Sequence, residues 1–74
     1  MIEQKLAELL KRESGRDDIS PATRLDDLVD DSLEFLQLML TVQQHLGIEV
    51  PDEAISRINT VADLLVELNA QLPN

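Results

Sequence analysis

The chain of 74 residues contains no cysteine. That absence excludes a disulfide framework, a thiolate metal site and a protein thiol nucleophile, and it suits a reducing compartment. Long apolar runs are missing as well, and nothing approaches the ~20 residues of a membrane-spanning helix. Histidine occurs once, as His45, with no second ligand-type residue at useful helical spacing, so no metal site is expected. Basic residues are scarce: six stand against fifteen acids, for a net charge of −9. Phosphates are bound by Lys and Arg that release counterions, so nucleic acid and anionic membrane are not expected partners. No catalytic triad, glycine-rich phosphate loop or paired-carboxylate site is present, which argues against an enzyme. The opening MIEQKLAELLKRE is amphipathic and carries acids, unlike a signal or transit peptide, so a cytoplasmic protein is expected.

What is present points to one small helical domain over residues 1–74, with a core marginal enough to need efficient helix packing. The charge is unevenly spread. Lys5, Lys11, Arg12, Arg16 and Arg24 lie in the first third, and no base occurs between Arg24 and Arg57. That interval holds Asp26, Asp27, Asp30, Asp31, Glu34, Glu49, Asp52 and Glu53. Such a one-signed field keeps a protein soluble, and it also steers basic partners toward a docking surface.

Ile2, Leu6, Leu9 and Leu10 make one face of a first helix ending near Ser14-Gly15. Residues 15–30 form a long connection with a Ser20-Pro21 turn, anchored by Ile19, Leu25 and Leu28. A second helix is predicted over Ser32–Leu46, with Asp31 as N-cap, Glu34 at capping-box spacing and Gly47 beyond its end. Ile48–Pro51 is extended. Pro51-Asp52-Glu53 opens a short third helix containing Ile55 and Ile58. Thr60 with Asp63 caps a fourth, whose buried face is Val61, Leu64, Leu65 and Leu68. The expected fold is all-α: a small four-helix bundle with a long first loop and a short third helix.

The second helix is too apolar for a single face. At ~100° per residue, Phe35, Leu38, Met39, Val42 and Leu46 fall within roughly 100° of arc, an ordinary core stripe. Leu33, Leu36 and Leu40 gather about 130° away. Glu34, Gln37, Thr41, Gln44 and His45 fill the rest. Wrapped on two sides, the second stripe is core; left partly open beside the acids, it is a partner site. The residues alone leave both open. Ser32, at the start of this helix, is by position a capping or solvent residue. A phosphate-bearing group attached there meets free N–H groups and the positive helix end, and also repulsion from Asp30, Asp31 and Glu34. That balance suits a mobile surface tether.

The stretch DSLEFLQLMLTVQQHLGIEVPDEAISRINTVADLLVEL, residues 31–68, resembles the acyl carrier proteins, and the flanks agree in length and helix order. Asp31-Ser32-Leu33 matches the short family signature. Glu34, the Gly47–Glu53 segment and the Thr60-Val61 opening supply its context. The resemblance implies that Ser32 receives covalent 4′-phosphopantetheine from coenzyme A through a Mg²⁺-dependent phosphopantetheinyl transferase. The arm's thiol then carries acyl thioesters to loading and processing enzymes with basic docking patches. It implies that Asp31 assists the transferase's metal chemistry and that Leu33, Leu36, Gln37 and Leu40 lie on the docking face, with Glu34, Glu49, Asp52 and Glu53 meeting partner bases. It places an acyl pocket among Leu38, Val42, Val50, Ile55, Ile58 and Leu64, and implies a monomer.

Departures from the family pattern shape the expected pathway. Val29 replaces a common glycine before the signature, Gln37 a common glutamate and Glu67 a frequent aromatic. Ile55 and Leu64 replace smaller residues, which implies a tighter pocket. These point away from housekeeping fatty-acid biosynthesis toward a specialised polyketide, aminoacyl or modified-lipid carrier. An aminoacyl or peptidyl carrier is the alternative within the family, and an unmodified helical adaptor using its acidic face is the alternative outside it.

Overall fold

Residues 2–72 are described by a computed structural model. Met1, Pro73 and Asn74, the ends of the expected domain, lie outside the described residues. Helix α1 runs Ile2–Ser14 and buries Leu6, Leu9 and Leu10. It stops at Gly15, whose φ of +72° no β-carbon obstructs and whose N–H donates to Lys11 O at 2.8 Å. Lys11 and Arg12 occupy the last turn, where the exposed carbonyls favour positive charge.

The long connection is more structured than its sequence suggests. It contains a 3₁₀ turn, Leu25–Leu28, with Leu25 fully buried. An isolated antiparallel bridge pairs Arg24 with Thr60. Leu25 N–H donates to Asn59 O at 2.9 Å, Val61 N–H to Thr23 O at 3.0 Å, and Ala62 N–H to Pro21 O at 2.9 Å. Arg16 clamps the near end. It chelates Asp18 through Nε and Nη2, both at 3.1 Å, while Nη1 donates to Asp27 O at 3.1 Å. Ile19 and Leu28 pack half-buried against the core, as expected of anchors.

Helix α2, Ser32–Leu46, buries Leu38, Met39 and Val42, and Phe35 and Leu46 pack half-buried beside them. Gly47 closes it at φ +68° with its N–H on Gln43 O. Gln43 has a second role: its side chain donates to Met39 O at 3.2 Å and accepts the Val50 N–H at 2.9 Å. The extended 48–51 segment is therefore tied to the last turns of α2. Helix α3 is only Asp52–Ile55. It ends before Ile58, so the expectation of one helix holding both isoleucines is corrected: Ile58 follows a tight turn, Arg57 N–H to Ala54 O and Ile58 N–H to Ile55 O, and is buried from there. Helix α4, Val61–Gln71, starts with a full capping box between Thr60 and Asp63 and buries Val61, Leu64 and Leu68. Leu65, expected on that face, is half-buried at its edge.

The elements share one apolar core among α1, α2 and α4, closed by Leu25, Ile48, Val50, Ala54 and Ile58. Among the described residues none that is polar or charged is buried. The polar groups of the described residues are therefore exposed or half-buried.

Candidate functional site

Ser32 is the first helical residue of α2, not its cap. The cap is Asp31, with extended backbone (φ −152°, ψ 177°) and Oδ1 accepting the Glu34 N–H at 2.8 Å. The return half of the expected capping box is displaced by one residue: Glu34 Oε1 accepts the N–H of Asp30, at 3.2 Å, rather than that of Asp31. These two bonds pin 30–34 while using nothing from Ser32. The Ser32 hydroxyl makes no hydrogen bond with a described residue, and Ser32 is exposed. The N–H groups of Ser32 and Leu33 also lack a protein acceptor among the described residues. A shallow cleft of about 300 Å³ adjoins the hydroxyl, lined by Asp26, Val29, Asp30, Asp31, Ser32 and Phe35.

Val29, which replaces a glycine of the family pattern, has φ −134° and ψ 160°. This is ordinary extended backbone, so the valine carries no strain. Its half-buried side chain stands between the Ser32 cleft and a second cleft between α1 and α2, lining both.

The second apolar stripe of α2, left open by the sequence, is exposed. Leu33, Leu36 and Leu40 are 63%, 50% and 56% accessible. Glu34 and Gln37 flank them, and Glu49, Asp52 and Glu53 stand exposed past the far end of the helix. Among the described residues the ion pairs are Arg16–Asp18, Arg24–Asp26 and Arg57–Glu67. None involves Asp30, Asp31, Glu34, Glu49, Asp52 or Glu53, so their charge is free to act outward. Of the six residues expected to line an acyl pocket, Leu38, Val42, Val50, Ile58 and Leu64 are buried in the core and Ile55 is half-buried. Gln43 went unnoticed in the sequence, because its role rests on an acceptor atom meeting a backbone N–H seven residues on.

The site can act as an anchorage and little else chemically. It offers a free primary hydroxyl on a pinned helix start, and among the described residues there is no hydrogen-bonded base on that hydroxyl and no group of three or more metal-type ligands. A covalently bonded phosphodiester fits: Ser32 is exposed, its hydroxyl is unbonded among the described residues, and it stands at a helix start whose first two N–H groups lack a described protein acceptor. The surrounding carboxylates add no attraction, so the bond alone retains the group. This is the geometry of a carrier.

Comparison with known proteins agrees. The family described as "phosphopantetheine attachment site" matches residues 2–68. The acyl carrier proteins of Rickettsia canadensis and Rickettsia prowazekii are each 34% identical, over 86% of this chain and 78% of theirs. The crystal structure of an acyl carrier protein from Thermotoga maritima shares the fold, with a TM-score of 0.72 at 23% identity over 96% of this chain and 91% of that one. The chain belongs to the phosphopantetheine-attachment family of acyl carrier proteins, non-catalytic carriers whose prosthetic group is 4′-phosphopantetheine bonded to a serine. Among the described residues no helix is long and apolar enough to cross a membrane.

Proposed function

We propose that Ser32 is the attachment serine and that the chain is a specialised, monomeric, single-domain carrier of the cytoplasm. One observation carries the assignment: Ser32 stands exposed and unbonded on a helix start that Asp31 and Glu34 hold without it. When bound, the arm supplies the thiol that this cysteine-free chain lacks, and thioester chemistry with it. The chain's own residues do the rest. Asp31 fixes the first turn of α2 and presents a carboxylate to the metal centre of the phosphopantetheinyl transferase. Leu33, Leu36 and Leu40 form an apolar docking strip. Glu34 at one end, and Glu49, Asp52 and Glu53 at the other, meet basic residues of acyl-loading and acyl-processing enzymes. Gln37 adds an uncharged contact between them.

The core lining of Leu38, Val42, Val50, Ile55, Ile58 and Leu64 receives a cargo chain only by parting, with the half-buried Ile55 as the natural point of access. The bulk of Ile55 and Leu64 and the neutral Gln37 favour a polyketide, aminoacyl or modified-lipid pathway over housekeeping fatty-acid synthesis.

The test is intact mass before and after incubation with coenzyme A, Mg²⁺ and a broad-specificity phosphopantetheinyl transferase. The wild type gains one phosphopantetheine and Ser32→Ala gains none. A folded wild type that stays unmodified makes the chain an unmodified adaptor instead. Full competence of the loaded protein with a housekeeping fatty-acid synthase would overturn the specialised pathway alone.

A further inference from the structure

The surface clefts of this acidic molecule differ in sign. The α1–α2 cleft is lined by Glu13 and Glu34, and the Ser32 cleft by Asp26, Asp30 and Asp31. Two clefts near the α2–α3 connection are lined by Glu49, one of them by Asp52 too. A fifth, of about 460 Å³, lies at the other end of α2 from Ser32 and is lined by Ile2, Lys5, His45, Leu46, Ile48 and Leu72. Among the described residues it is lined by no carboxylate, and among these five clefts it alone presents basic side chains. Lys5 forms no ion pair with a described residue. Ile48 is buried, Ile2 and Leu46 are half-buried, and Leu72 is 40% exposed, so an apolar wall stands beside an ammonium and an imidazole. The volume is within the range of small-molecule sites.

We propose that this cleft binds the free carboxylate of a medium-chain fatty acid, with the alkyl chain against Ile2, Leu46, Ile48 and Leu72 and the head group at Lys5 and His45. The charge selects that form of the molecule. A thioester carbonyl is neutral and gains nothing from Lys5, whereas the acid released by thioester hydrolysis carries the matching negative charge. The two helix ends at the cleft oppose each other, since the start of α1 favours an anion and the end of α2 disfavours one. The α2 end is muted because Gln43 O is already taken by the N–H groups of Gly47 and Ile48. Lys5 and His45 therefore decide the sign. The inference goes beyond the carrier reading and does not depend on modification of Ser32.

The experiment titrates octanoate into the full-length Ser32→Ala chain, which holds no arm, and follows backbone amide NMR shifts. Octanol and octyltrimethylammonium serve as probes with the same tail and a neutral or cationic head. Octanoate is expected to shift Lys5, His45, Leu46, Ile48 and Leu72 saturably and more tightly than either control. Lys5→Glu should weaken it tenfold or more, since it removes one partly solvated charge pair and sets a like charge against the carboxylate, and Lys5→Arg should retain it. Equal binding of all three probes, shifts centred on Val50, Ile58 and Leu64, or no saturable shift would each overturn the assignment. So would octanoate binding that Lys5→Glu leaves unchanged.

Discussion

Replacing Ser32 with alanine is expected to leave the fold as stable as before, while replacing its neighbour Asp31 is not. Ser32 makes no hydrogen bond with a described residue and is exposed. Alanine is the better helix former by about 0.5 kcal/mol, so Ser32→Ala should fall within about 0.5 kcal/mol of wild type, on the stabilising side if anywhere. Asp31 accepts the Glu34 N–H at 2.8 Å. Removing a capping oxygen of this kind costs about 1 kcal/mol, with a range of roughly 0.5–2. Loss of a negative charge beside Asp30 and Glu34 offsets part of that cost, which keeps the expected value near 1 rather than 2 kcal/mol. A domain of this size holds only about 4–11 kcal/mol in total, so the difference is easy to see. In urea, with a slope of about 1 kcal/mol per molar, the Asp31→Ala midpoint should drop by about 1 M and the Ser32→Ala midpoint should hardly move. A thermal melt should report about 4–8 °C for the first variant. If Ser32→Ala falls as far as Asp31→Ala, the serine is part of the cap, and the separation of a structural aspartate from a free serine is wrong.

Other residues give equally direct outcomes. Leu36 is half exposed, so Leu36→Asp should unfold at nearly the wild-type temperature yet lose partner affinity tenfold or more by calorimetry, whereas Leu64→Ala, in the core, should cost about 2–5 kcal/mol. Gln43→Ala leaves the Val50 N–H without its acceptor and should cost about 1–3 kcal/mol, with faster amide exchange at Val50. The Asp63 carboxyl is held below its usual value by the N–H groups of Asn59 and Thr60. A depressed folded value contributes stability that is present above the unfolded value of about 3.9 and is lost as pH falls through the folded one. Asp63→Asn should therefore be less stable at neutral pH and show a flatter acid limb in melts between pH 5 and 2.

The helices were legible because local chemistry marks their ends: Gly15 and Gly47 in left-handed backbone, Asp31 and Thr60 as caps, and apolar residues at helical spacing between them. The core face of α2 was legible for the same reason. Its second stripe was not, since exposure of Leu33, Leu36 and Leu40 depends on which helices cover them, and periodicity is silent about neighbours. The 3₁₀ turn at Leu25–Leu28 is too short to show a period, and its pairing partner near Thr60 is remote in sequence. The Asp30–Glu34 bond differs from the expected box by one residue, a choice made by loop geometry rather than by residue type. The pattern around Ser32 singled the residue out in the sequence, but that its hydroxyl and N–H are unclaimed among the described residues follows only from the fold. The cationic cleft at the far pole joins Ile2, Lys5, His45 and Leu72, which are neighbours in no linear sense.

The bridge between Arg24 and Thr60 sets an order of events during synthesis. The segment leading to Ser32 is stitched to the start of α4 through Thr23, Leu25, Asn59 and Val61. A nascent chain that has not yet released α4 from the ribosome has nothing to stitch to, and such non-local contacts form late. Until then the segment around Thr23 to Leu25 is untethered. Closure of the loop before α2 is consequently a late event in the folding of this domain, whereas the turn at residues 30–34, held by its own Asp31 and Glu34 bonds, needs nothing from α4.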